Sequence, residues 1–354
     1  MPRPARLVVV GAGLVGKRHV AAINRSAVAE LAAIVEPSTE GQEYADANNA
    51  AYFEDLDQLF SGMSPDGIIL ATPTKLHAQQ ALDCLANNCP VLIEKPITVT
   101  ANEAAAIVHA SHATGVPVLV GHHRRHNPLV QESHRLIREG TIGDVRTAQV
   151  TCWFYKPDDY FDGAPWRKQK GAGPISVNLV HDIDLMHHFC GEIVRVQAQA
   201  SPSIRGYDNE DVATAIVCFE SGVLGTITVS DSVVAPWSWE LTSGEYPVYP
   251  KTNQSCYLLG GSEGSLSLPD MTVWKHQGQK SWWNPIGGTV APRPAADPLC
   301  NQIDHFVDVI HGVAEPLVSA EEGWRTLQVI EAIQIAAATQ QAVALDPSNK
   351  AQIA

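Results

Sequence analysis

Three stretches of this sequence carry residues that could do chemistry. The first is Gly11-Ala12-Gly13-Leu14-Val15-Gly16, which follows a β-branched apolar run and opens a helical segment. The first glycine permits a tight turn, the second lets the backbone approach a pyrophosphate, and the third lets helix and strand pack closely. The helix N-terminus then favours the phosphate charge. Glu36 ends the next apolar run, where a carboxylate can accept hydrogen bonds from both ribose hydroxyls of a dinucleotide. Pro37, Ser38, Thr39 and Glu40 come next, with no Arg or Lys to hold a 2′-phosphate, so the expected cofactor is NAD rather than NADP.

The second stretch is Glu94-Lys95-Pro96, after the run Val91–Ile93. It is preceded by Thr72-Pro73, which follows residues 68–70 and leads into a helical segment carrying His77. Both turns lie at strand C-termini, where ligands of open α/β sheets bind. A lysine there, close to a nicotinamide, can act as general acid or base once partial burial and neighbouring positive charge lower its pKa. Spacing alone supports equally a solvated lysine paired with Glu94. The third stretch is His181-Asp182-x-Asp184-x-x-His187-His188. His181 and Asp184, or Asp184 and His187, stand one helical turn apart and could place two metal ligands on one face. No third ligand is evident, so no metal is assigned, and a catalytic or substrate-binding His181 is preferred to a purely structural helix.

Two further groups could touch a substrate. His122-His123-Arg124-Arg125-His126 is unusually basic for this chain. One of its arginines could grip a carboxylate or several hydroxyls through a bidentate fork, or could instead pair with an acidic residue to join two domains. His123 and Arg124 are expected to face the site. Tyr155, Tyr160, Phe161, Trp166 and Arg167 precede the His181 segment, and Trp237, Trp239, Tyr246, Tyr249, Trp282 and Trp283 lie further on. Aromatic faces stack on sugar or cyclitol C–H surfaces, but they also cover sheets and fill interfaces. Trp166 and Arg167 are the pair expected to contact substrate.

The elements that must position these residues alternate at first. Strand signals at 7–10, 31–35, 67–71, Val91–Ile93 and Val118–Val120 are separated by helical signals at 14–25, 75–88 and 101–113. That pattern means βαβ units and a parallel sheet. After Gly121 it changes. A helix at 129–139, a long strand at 146–154 and a helix near 175–189 are followed by strands at 194–200, 212–219, Leu224–Ser230, 256–259 and Ser265–Leu268. Helices at 301–311 and 321–340 close the chain. Successive strands without helices suggest a mostly antiparallel sheet. The expected fold class is α/β: an N-terminal, doubly wound Rossmann domain (1–123) plus a C-terminal α+β domain with a large, mostly antiparallel open sheet (124–354). The first would bind NAD and the second substrate. Strands 212–219 and Leu224–Ser230 carry apolar residues on both faces, which predicts a homodimer or homotetramer with sheets packed face to face.

Composition agrees. A chain of 354 residues has room for two domains, and 45% hydrophobic with 18% charged residues is an ordinary globular balance. Lys plus Arg number 24 against 38 Asp plus Glu, a net charge of -14, which disfavours nucleic-acid and membrane-surface partners. The seven cysteines are odd in number and widely spaced, with no Cys-x-x-Cys pair, which fits neither a zinc ribbon nor a disulfide framework. No apolar run approaches the ~18 residues of a membrane span. The basic and apolar start runs straight into the glycine loop and reads as a strand, not a signal peptide. These features predict a cytoplasmic protein.

The ordered set resembles the Gfo/Idh/MocA oxidoreductase family: the glycine loop, Thr72-Pro73 with His77, Glu94-Lys95-Pro96, the segment 121–128, and the helix with His181 and Asp184. The resemblance spans nearly the whole chain. It implies a Rossmann domain and an α/β domain whose open antiparallel sheet mediates dimers or tetramers, and NAD(P)-dependent oxidation or reduction of sugars, inositols and related polyols. It implies catalytic roles for Lys95, contacting the reacting hydroxyl, and for His181. Cofactor binding would fall to Gly11, Ala12, Gly13, Leu14, Val15, Gly16, Glu36, Thr72, Pro73, His77, Glu94 and Lys95. Substrate binding would fall to Lys95, His123, Arg124, Trp166, Arg167, Asn178 and His181. One departure stands out. Many members carry an aspartate four residues before that histidine, and here the position is Val177, with Asn178 next to it. Asparagine can hydrogen-bond a hydroxyl but cannot take its proton, so Lys95 and His181 must share the acid–base work, or Asp182 or Asp184 must contribute. The expected reaction is oxidation of a secondary alcohol on a sugar, cyclitol or polyol, with hydride passing to C4 of the nicotinamide. The alternatives are an NAD-dependent glycosidase that oxidises, eliminates and re-reduces, and a non-catalytic module that binds NAD or sugar.

Overall fold

In the computed structural model, which describes residues 3–346, the run Leu7-Val8-Val9-Val10 is at most 2% exposed. It belongs to strand β1 (Ala5–Val10), and burial of consecutive residues means that both faces of the sheet are covered. Its sheet contains β2 (Ala29–Val35), β3 (Ala51–Phe53), β4 (Gly67–Leu70), β5 (Val91–Ile93) and β6 (Val118–Val120), all parallel, in the order β3-β2-β1-β4-β5-β6. The order reverses between β1 and β4, so the connections leaving these neighbours diverge and open a crevice at their C-terminal ends. The turns carrying Gly11, Thr72 and Glu94 follow β1, β4 and β5, three adjacent strands.

The first compact unit comprises residues 3–126 together with Ala296–Leu327. A division at 123/124 misses this return of the chain. Its physical basis is the helix Pro298–Ile310, whose Leu299, Ile303, Phe306 and Val307 share one core with Leu7, Val9, Val20, Ile23 and Ile69.

The second unit comprises Asn127–Ala295 and the described residues from Gln328 onward. Its strands are β7 (Val145–Trp153), β8 (Ile193–Pro202), β9 (Glu210–Phe219), β10 (Leu224–Ser230), β11 (Tyr257–Gly261), β12 (Ser265–Leu268), β13 (Thr272–His276), β14 (Ile286–Val290) and β15 (Val343–Ala344). They form one sheet in the order β14-β13-β12-β11-β7-β10-β9-β8-β15. Every pairing is antiparallel except β7 with β10. Helices Pro174–Val177 and Leu179–Cys190 pack on this sheet. Alternation is clean: Ala213, Ala215, Val217 and Phe219 are buried while Thr214 and Ile216 are exposed. The expectation of apolar residues on both faces holds in part, since Val212, Ile216 and Leu224 lie on the outer side. The outer face mixes threonine and glutamine with a few apolar side chains, because the period of two sends most of the aliphatic residues inward.

Candidate active site

The glycine loop has the geometry its spacing requires. Gly11 has φ +96°, and a side chain there would lie 2.8 Å from the Ala71 carbonyl oxygen. A side chain at Gly16 would run into the Gly11 carbonyl, so the third glycine permits helix Leu14–Ile23 to start against β1. A Cβ on Gly13 would meet nothing within 4 Å, which leaves space for a ligand to approach the backbone. Gly13 caps the helix without a side-chain hydrogen bond, so the first helical N–H groups suit an anion. Ala12 donates its N–H to Glu36 Oε2 at 2.9 Å, which places the carboxylate beside the loop. A cavity of about 770 Å³ opens along Gly11, Gly13, Glu36, Thr72, Pro73 and Gln80. Glu54, Asp55, Asp57 and Asp83 also line it, and Lys and Arg do not. These residues fit a dinucleotide: open backbone for the pyrophosphate, a carboxylate for ribose, and no cation for a 2′-phosphate.

Thr72 and the Glu94-Lys95-Pro96 turn are tied together from beneath. His77, 1% exposed, has Nε2 2.9 Å from the Thr72 carbonyl and Nδ1 3.1 Å from the Pro96 carbonyl. Burial lowers its pKa, and a neutral ring donates to one of these acceptors at a time. His77 thus ties the turns after β4 and β5 together from behind. Glu94 is also buried, and its Oε1 lies 2.8 Å from His19 Nε2 while Oε2 accepts the Lys95 N–H at 3.1 Å. Burial opposes its ionisation. The His19 hydrogen bond and nearby positive charge, including His123 and Lys95, outweigh that and hold the carboxyl at about 2. Lys95 itself is half-buried at the C-terminal end of β5, and the Lys95–Pro96 bond is cis. His19 escaped the sequence reading. Its only signal was a polar residue one turn beyond Gly16 on the helix that packs against β1.

In the basic segment His123–His126, His123 is half-buried while Arg124 and Arg125 are buried. Arg125 pairs with Glu322 at 3.3 Å, and both residues belong to the first unit, so this pair is not the domain-joining contact considered for one arginine of the cluster. Arg124, 3% exposed, is packed within the protein rather than presented at its surface.

In the second unit, the segment expected as one helix is two, Pro174–Val177 and Leu179–Cys190, meeting at Asn178. The Asn178 Oδ1 accepts from the Lys156 Nζ at 2.8 Å. Lys156, 5% exposed, also lies 3.5 Å from Asp231 Oδ2. Burial draws the Lys156 amine below its ordinary pKa and pushes Asp231 above its own, the attraction between them offsetting part of each. Sequence reasoning missed Lys156, whose partners lie 22 residues later at Asn178 and further on at Asp231. His181 is 6% exposed. Asp182 accepts a hydrogen bond from the Tyr257 hydroxyl of β11 and so anchors the helix to the sheet, and Asp184 is fully buried. Trp166 is 54% exposed, and the half-buried Arg167 lies beside it.

Comparison with known proteins agrees with this fold. Residues 5–122 match an oxidoreductase family described as having an NAD-binding Rossmann fold, and residues 130–267 match the same family's C-terminal domain. The chain is 26% identical over 340 residues to 1,5-anhydro-D-fructose reductase of Ensifer adhaerens, covering 96% of this chain and 98% of that protein. It is 24% identical over 347 residues to D-apiose dehydrogenase of Paraburkholderia graminis, covering 93% and 86%. Among solved structures, the WlbA dehydrogenase of Bordetella pertussis in complex with NADH and UDP-GlcNAcA superposes with a TM-score of 0.77 at 24% identity, over 97% of this chain and 99% of that one.

Proposed function

The chain belongs to the Gfo/Idh/MocA family of NAD-binding oxidoreductases, and from that membership we propose that it interconverts a secondary alcohol and a ketone on a sugar, cyclitol or related polyol. One observation carries the reading: the glycine loop, Thr72 and Lys95 follow the C-terminal ends of three adjacent parallel strands, β1, β4 and β5. Bound NAD supplies the redox chemistry. Glu36 holds the ribose end, the helix Leu14–Ile23 receives the pyrophosphate, and Lys95 at the end of β5 takes or returns the hydroxyl proton. Glu94 and His19 keep the Lys95 backbone in place. On the second unit we assign His181 to the same proton and Asn178 to a substrate oxygen. The named activities of relatives, a sugar reductase and a sugar dehydrogenase, support this substrate class.

A panel of polyols, sugars and cyclitols offered with NAD, followed by NADH absorbance, tests the proposal. Net NADH from at least one free polyol is expected. Cleavage of a glycoside with no net NADH would favour oxidation–elimination instead, and tight NAD binding with no turnover would favour a binding module.

A further inference from the structure

The loop that leads into the Asn178 helix pair brings several buried or half-buried cations close together. Lys156 lies 3.5 Å from Asp231 Oδ2, and Arg205 donates to Asp231 Oδ1 at 3.1 Å, so one carboxylate serves two buried or nearly buried cations. Asp158, largely exposed, sits 3.8 Å from Arg205 Nε. Glu210 is occupied by backbone, with Oε1 accepting the Ile175 N–H at 3.0 Å. Arg167 is the third cation. Its Nη1 donates to the Tyr160 carbonyl at 2.6 Å, and its guanidinium lies 4.0 Å from the Tyr160 ring centroid and 5.6 Å from that of Trp166. The Tyr160 ring links the group, because Lys156 Nζ is 5.1 Å from its centroid. Among the described residues no carboxylate reaches Arg167 within ion-pair distance, and its Nε is buried without a hydrogen-bond partner.

Two chemical points follow. A guanidinium is always charged and presents a planar fork that matches a carboxylate, and stacking on Tyr160 and Trp166 fixes its plane. Lysine offers only donors, so the Asn178 amide oxygen must face Lys156 and its NH₂ is what remains for a ligand. Asn178 therefore recognises acceptors. On a chain of net charge -14, long-range forces repel an anion, so local cations must supply the attraction.

We infer that the substrate carries a carboxylate, as an aldonic, uronic or related hydroxy acid, with Arg167 receiving the carboxylate and Asn178 a neighbouring oxygen. The inference rests on the proposed placing of Asn178 against substrate and narrows it from polyols in general to acids.

Binding to the NADH-loaded protein, measured by calorimetry on matched pairs, tests it: D-glucuronate against D-glucose, D-galacturonate against D-galactose, and D-gluconate against sorbitol. In at least one pair the acid should bind about 10-fold tighter or more, with the advantage shrinking as NaCl is added. Arg167→Met should bring that pair close to parity, and Arg167→Lys should recover part of the difference, with the melting temperature and NADH affinity of both variants serving as controls for folding. Parity in every pair, or an acid preference that survives Arg167→Met, overturns the inference. Turnover is read separately. An acid that binds in this way but is never oxidised would count against the dehydrogenase reading while leaving the anion assignment standing.

Discussion

At Glu94 two opposing effects meet, and the balance is measurable. Burial disfavours its charge, while His19, His123 and Lys95 favour it, and the result is a carboxyl held at about 2 against an ordinary 4.5. A depressed carboxyl contributes stability that is fully present above 4.5 and is lost as pH falls toward about 2. Glu94→Gln removes the titrating group. Its melting temperature should therefore decline less steeply than that of the wild type as pH is lowered through that window, and parallel declines in thermal melts would contradict the assignment. The same residue marks a limit of sequence reading. Glu94-Lys95-Pro96 was legible as a motif, but the hydrogen bond that orients it comes from His19, 75 residues earlier, on a separate element. The contact between Lys156 and Asn178 was hidden in the same way, because a contact across folded distance leaves no periodic trace.

Among the elements, the turn at the end of β2 is expected to set cofactor choice. Glu36 lies in a cavity also lined by Glu54, Asp55, Asp57 and Asp83, and lacking Lys and Arg. A 2′-phosphate would enter a field of like charge, so kcat/KM with NAD should exceed that with NADP by at least several-fold, and Glu36→Ala should narrow the gap. Equal efficiency with NADP would contradict this. Most elements were legible because their periods are strong: β1, β5, β6, β10 and β12 are short apolar or alternating runs bounded by turn residues. The helices Thr39–Ala47 and Leu56–Gly62 and the strands β3, β13 and β14 were not. Thr39–Ala47 buries only Gly41 and Ala45, and β14 holds two glycines among largely exposed residues, so neither has an apolar period to read. The break at Asn178 was likewise invisible. The return of helix Pro298–Ile310 to the first unit was missed because an amphipathic helix does not say which core it covers.

For the whole molecule, the outer face of the nine-stranded sheet needs cover. Ile216, Leu224, Leu258 and Trp274 are 42–55% exposed on it, among Thr147, Gln149, Thr214 and Thr226. Such a mixed face suits a second copy of the same sheet, and a homodimer or a dimer of dimers is expected by light scattering at micromolar concentration. The double variant Ile216→Lys, Leu258→Glu should shift it toward monomer, and a monomeric wild type would contradict the expectation. No helix among the described residues is long and apolar enough to cross a membrane.

Lys95 as the principal acid–base group is the claim on which the functional account turns. The direct measurement is kcat for NAD reduction by Lys95→Ala with the best substrate from the panel, alongside NAD affinity. The contacts proposed for phosphate and ribose lie elsewhere, at residues 11–16 and at Glu36, so affinity should be nearly unchanged. The chemical step should slow by roughly 10²–10⁴-fold, the usual worth of a positioned general acid or base. A variant that keeps more than about a tenth of wild-type kcat would contradict the role given to this lysine and move the proton to His181.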